Sequence, residues 1–138
     1  MTATLNEARE RVYQTWNTGW GATTTWARDN INFTPPSNTS WARLSVRHLP
    51  SDVDSMGAVG DRKFLRTAMV LVQLFVPLDS NVQDADTLST TARDLFEGKT
   101  LTPENLWFTA VDSREIGPTD DGWFQVNVEA TFNYIDRK

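Results

Sequence analysis

The stretch RKFLRTAMVLVQLFVPL, Arg62 to Leu78, limits the fold more than any other part of the chain. From Ala68 to Val76 every position except Gln73 is apolar. A strand with one wet face alternates apolar and polar residues, and this one does not. Both of its faces need cover. The run is far short of the ~20 residues that span a bilayer, and Pro77 ends it. It therefore reads as a central strand of a sheet, from about Arg62 to Val76.

The flanking segments show what can cover it. Thr4 followed three residues later by Glu7 is a capping-box pattern. Leu5, Ala8, Val12 and Trp16 then recur at helical spacing, and Gly19 is placed to stop the helix. In a second helix Ala85, Leu88, Ala92, Leu95 and Phe96 make one apolar stripe, and Gly98 suits the C-terminal cap. TTTWARDNINF reads as a short strand or extended arm, and TPPSNT as a turn. SWARLSVRHL alternates: Ala42, Leu44 and Val46 point one way, and Trp41, Arg43, Ser45 and Arg47 the other. LWFTAVDSREI and WFQVNVEATFNY form a hairpin around GPTDDG. In its second strand Phe124, Val126, Val128, Ala130, Phe132 and Tyr134 share a face. Gln125, Asn127, Glu129, Thr131 and Asn133 take the other.

The order α-β-β-β-α-β-β predicts an α+β fold of two layers. It consists of a single mixed, mostly antiparallel β-sheet with two α-helices packed on one face, in one domain spanning residues 1–138. The strand–helix–strand passage through Asp84–Gly98 predicts a right-handed crossover and one parallel pair. Two helices on one face leave the other face without a helix. It is polar in the flanking strands and apolar in the central one. A long loop or another subunit must cover that part. The loop from Ser51 to Asp61 is expected to be mobile until a partner orders it.

Chemistry-bearing patterns are few. The chain has no cysteine, so disulfides, thiol catalysis and cysteine-ligated zinc are excluded. A net charge of -5 argues against a dedicated nucleic-acid binder. The N-terminal sequence has no signal-peptide core, and the expectation is a soluble protein made and used inside a cell. His48 is the only histidine, and by parity it falls on the apolar side of its strand, which favours a structural role over catalysis. Asp52 and Asp54, and Asp84 and Asp86, are close acidic pairs without the oxygen-ligand pattern of a calcium loop. The second pair suits a helix start. MGAVGD lacks phosphate-loop spacing. No catalytic, cofactor or metal residue is assigned.

Six tryptophans are many for 138 residues, and tryptophan and arginine are the common anchors of interfaces. The face without helices supplies the candidate contact residues Trp41, Arg43 and Arg47. Gln125, Asn127 and Glu129 join them on the last strand if the register permits. Arg62, Lys63 and Arg66 lead into the central strand.

SWARLSVRH, a glycine-bearing loop, RKFLRTAMVLVQLFVPLD, ARDLFEGKTL and DGWFQVNVEATFNY occur in this order over nearly the whole chain. Together they resemble the tail-terminator-like proteins of long-tailed bacteriophages. The resemblance implies a non-enzymatic virion protein without cofactors. It implies a homo-oligomeric ring, usually a hexamer, on the head-proximal end of the tail. Its partners would be further copies of itself, the major tail tube protein and a head-completion or connector protein. Genomic DNA would pass through the lumen without specific binding, and no membrane would be involved. Assembly would take place in the host cytoplasm. Two other readings are a head-closure or neck protein, told apart by its partner, and a small α+β enzyme or ligand-binding domain, which needs a buried pocket.

Overall fold

A computed structural model of the chain describes residues 3–50, 52–53, 57–79 and 81–137. The first helix, α1, runs Leu5–Trp20. Its cap is the expected box: the Thr4 amide donates to Glu7 Oε1 at 3.0 Å, and the Glu7 amide donates to Thr4 Oγ1 at 3.2 Å. Ala8, Val12, Tyr13, Trp16 and Trp20 are its buried side, whereas Leu5 is exposed. The helix does not stop at Gly19. It continues to Trp20 and turns at Gly21, which takes φ 53°. Gly19 serves a different purpose. A Cβ there would lie 2.3 Å from Leu95 Cδ2, so glycine lets the second helix approach.

The strands that follow are β1 Thr25–Arg28, β2 Trp41–His48, β3 Asp52–Val53 and β4 Lys63–Pro77. Helix α2 covers Val82–Phe96, and β5 Thr100–Leu101, β6 Leu106–Pro118 and β7 Trp123–Arg137 complete the chain. Asn81 caps α2 by accepting from the Gln83 amide at 3.0 Å, and Gly98 takes φ 71° just past its end. The α+β class, the mostly antiparallel mixed sheet and the helix–strand order are as the sequence predicts. The two-residue strands β3 and β5 are additions to that order.

The strands form one sheet in the order β1-β2-β4-β7-β6-β5, with β3 paired to β4. The expected parallel pair across α2 is absent. Strands β4 and β6 both pair antiparallel with β7, which lies between them. The parallel pair is β1 with β2 instead. The reason lies in the β6–β7 hairpin. β7 pairs with β4 along 15 residues, from Pro77–Trp123 to Lys63–Arg137, and its inner residues Val126 to Tyr134 are all buried, so the long apolar strand takes the centre.

The register settles which side of β4 meets the helices. Ala68, Val70, Val72 and Leu74 share one core cluster with Ala8, Val12 and Trp16 of α1 and Ala92 and Phe96 of α2. Trp16 stacks on Trp20 at 4.4 Å between centroids and meets Trp26 edge-on at 6.1 Å. Leu65, Met69, Leu71, Gln73 and Phe75 therefore occupy the outer face. Part of the Ser51–Asp61 loop, residues 51 and 54–56, lies outside the described residues, and so does the expectation placed on it.

Candidate interaction face

The outer sheet face is the surface that the helices leave open. Its rows follow from the register. Trp41, Phe75 and Gln125 lie side by side, then Arg43, Gln73 and Asn127, then Ser45, Leu71 and Glu129, then Arg47, Met69 and Thr131. Six of the residues singled out in the sequence, Trp41, Arg43, Arg47, Gln125, Asn127 and Glu129, are thus brought together on three adjacent strands.

One end of this face is closed by the chain itself. Trp41 stacks on Phe75 with centroids 4.2 Å apart, meets Trp123 edge-on at 6.2 Å and packs against Phe33 at 5.1 Å. Only 6% of Trp41 is exposed. Phe33 comes from the proline-flanked segment between β1 and β2, so a loop covers Trp41 of β2, which in turn stacks on Phe75 of the apolar strand. Arg43 lies over the Trp41 ring at 5.8 Å and donates from Nη1 to the Arg28 carbonyl at 3.2 Å. Sequence parity places Trp41 on this face. The ring contacts with Phe33, which is tilted, and Phe75, which is stacked, are what it misses, and NFTPP gives only the weak signal of an aromatic residue inside a turn.

The middle of the face is polar and internally bonded. Gln125 Nε2 donates to Asn127 Oδ1 at 2.8 Å, and Thr67 Oγ1 to Asn133 Oδ1 at 2.8 Å. Arg114 pairs with Glu129 at 3.4 Å. Arg114 reaches this side because Thr109 is an extra residue in β6, a bulge between Phe108 and Ala110 that reverses the strand's parity. Beneath these groups Leu71 is 8% exposed, whereas Leu65, Met69 and Ile135 are half-buried.

The three residues leading into β4 do not act as a unit. Arg62 lies before the strand and donates from Nε to the Gly57 carbonyl at 2.9 Å. Lys63 is exposed at the outer-face start of β4. Arg66 has the opposite parity and lies on the helix side, where its Nη2 meets Asp136 Oδ2 at 3.2 Å. Asp136 is 4% exposed, so this is a buried charge held by one guanidinium.

His48 lies on the helix side of β2. Its Nδ1 is buried with no partner among the described residues. Burial, and then the nearby Arg9 charge, hold its pKa below the ordinary 6.5, so the ring is neutral at neutral pH. Burial, reinforced by Asp29, pushes the Tyr13 phenol up to about 12, and burial does the same for Tyr134. Among the described residues no three His, Asp or Glu side chains gather as a metal site. The larger clefts, about 410 Å³ beside Gly19 and Leu95, about 390 Å³ beside Ser89 and Arg93 and about 370 Å³ beside Thr23 and Asp84, are surface depressions. Among the described residues no helix is long and apolar enough to cross a membrane.

A family model described as phage tail terminator protein matches residues 5–132. One solved structure, whose name carries no function, superposes with a TM-score of 0.65 at 17% identity, over 91% of this chain and 94% of that chain. That likeness concerns the fold. A chain from the virion of a native gene transfer agent (GTA) particle gives a TM-score of 0.47 at 14% identity, over 90% of this chain and 91% of that one, which is too distant to carry an argument. No curated protein matches the sequence.

Proposed function

The chain belongs to the phage tail terminator family, and from that premise we propose that it forms a ring, taken as a hexamer, on the head-proximal end of the tail tube. The family makes it a structural component of a phage tail. In our reading the ring halts addition of tube protein and offers the head-completion protein its docking surface. DNA crosses the lumen without specific contact. The protein works by shape and contact, without catalysis or cofactor, and residues 1–138 act as one domain assembled in the host cytoplasm.

The observation that carries this reading, beside the family, is the sheet with helices on one face only. Its outer face presents Arg43, Arg47, Lys63, Gln125, Asn127 and Glu129 to subunits or virion partners. Trp41 and Arg66, engaged within the chain, hold that face and its strand end in shape, and Arg62 flanks it. The test is genetic. Particles lacking the protein are expected to carry tails of irregular, excessive length that do not join heads. Tails of normal, uniform length that still join heads would end the proposal.

A further inference from the structure

We propose that copies of this chain join head to tail through the two opposite edges of the sheet, a cationic edge of one copy set against an acidic edge of the next. This deepens the ring reading and rests on it. The sheet order puts β1 and β2 at one edge and β6 near the other. At the first edge lie Arg28 on β1 and Arg43 and Arg47 on β2, and Arg9 of α1 reaches the same strand, donating from Nη2 to the Val46 carbonyl at 3.0 Å. The acid among them, Asp29, accepts the Tyr13 hydroxyl. Arg47 is exposed.

The far edge has the opposite sign. Asp112 and Glu115 are exposed on β6. The flank of α2 that overhangs β6 adds Asp86, Asp94 and Glu97, and it is fixed there by Ser89 Oγ and Ser113 Oγ at 2.8 Å. Of the basic residues on this edge, Arg93 pairs with Glu97 at 2.8 Å and Arg114 with Glu129 at 3.4 Å, and Lys99 is exposed just before β5. An excess of negative charge remains.

This separation of charge decides the geometry of association. Two like edges repel, so a two-fold dimer through either edge is disfavoured. Opposite edges attract, and a contact between two different patches of one chain propagates until it closes as a ring. Backbone pairing is not the means. β5 covers only Leu106 and Trp107 of β6, and the rest of that edge is blunted by bulges at Thr109 and Ile116 and by Pro118. Side chains make the contact, so it is sensitive to salt.

The test uses sedimentation equilibrium of the full chain. The parent protein is expected to self-associate at about 0.02 M ionic strength and to do so several-fold more weakly at about 0.5 M, where exposed charges are screened. The pair Arg43→Glu with Arg47→Glu should weaken association at least about ten-fold, and so should Asp94→Arg with Asp112→Arg. Mixed in equal amounts, the two variants should associate again, because each reversed edge then meets a complementary one. Recovery on mixing also shows that both variants are folded. A parent that stays monomeric at low ionic strength, variants that associate like the parent, or folded variants not restored by mixing would each overturn the inference. Variants that assemble normally, beside particles that overgrow their tails without the protein, would remove the edge contact and leave the ring. Uniform tails without the protein would remove the ring itself.

Discussion

Trp41 separates two roles that one face can have, and truncating it should lower the stability of the isolated chain. The side chain is 6% exposed and lies against Phe33, Phe75 and Trp123. A tryptophan buries roughly 150–250 Å². At about 25 cal/mol per Å² that area is worth about 4–6 kcal/mol, an upper figure because the unfolded chain already buries part of it. Against this, Trp41 Nε1 is buried without a partner among the described residues, and removing an orphaned donor returns about 1–3 kcal/mol. The expected loss for Trp41→Ala is therefore about 3 kcal/mol, in the range of other large core truncations. With a urea slope of about 1–3 kcal/mol per M, the midpoint should fall by at least about 1 M. Trp41→Phe, which keeps the stack and deletes the orphaned donor, should cost much less. Arg47→Ala, at an exposed site, should stay within about 0.5 kcal/mol of the parent. Urea unfolding followed by circular dichroism reads all three. A Trp41→Ala chain with an unchanged midpoint would refute the reasoning and make Trp41 a partner contact instead.

Three further outcomes can be checked in the same assay. Thr4→Ala removes the oxygen that accepts the Glu7 amide and should cost about 1 kcal/mol, whereas Thr4→Ser should cost far less. Gly19→Ala gains about 1 kcal/mol of helix preference but sets a Cβ 2.3 Å from Leu95 Cδ2, so it should be destabilising in the parent and neutral or better in a Leu95→Ala background; equal effects in both backgrounds would mean that the helices do not meet at this glycine. His48, with its folded pKa held below 6.5 by burial, binds its proton more readily in the unfolded chain, so its contribution is intact above about pH 6.5 and is lost as pH falls through the lower folded value. The stability profile of His48→Gln should be flatter than the parent's just below pH 6.5.

Local patterns made much of the fold readable. The capping box of α1, the alternation Ala42–Leu44–Val46 and the six-residue inner stripe of β7 each carry their signal within a dozen residues. The apolar run of β4 announces a central strand, but its two sides look alike, and parity alone does not tell Val70 from Leu71. Only the register with Val46 and Ala130 does. Non-local choices left no such trace. Nothing in LWFTAVDSREI marks Thr109 as an extra residue, so the sides of Asp112 and Arg114 are hidden. Nothing near α2 says that β7 will insert between β4 and β6. Gly19 looked like a stop because its reason, Leu95, lies 76 residues away. The candidate face was legible as a set of alternating residues, and its aromatic closure by Phe33 was not, since no periodicity leads into a proline-flanked loop.

The central claim is a ring at one end of a tube, and electron microscopy of the purified protein added to its own tail tubes tests it most directly. We expect a single ring at one end of each tube, and no further growth from that end when tube protein is supplied. Protein bound along the tube wall, at both ends, or not at all, with growth continuing from every end, would contradict it.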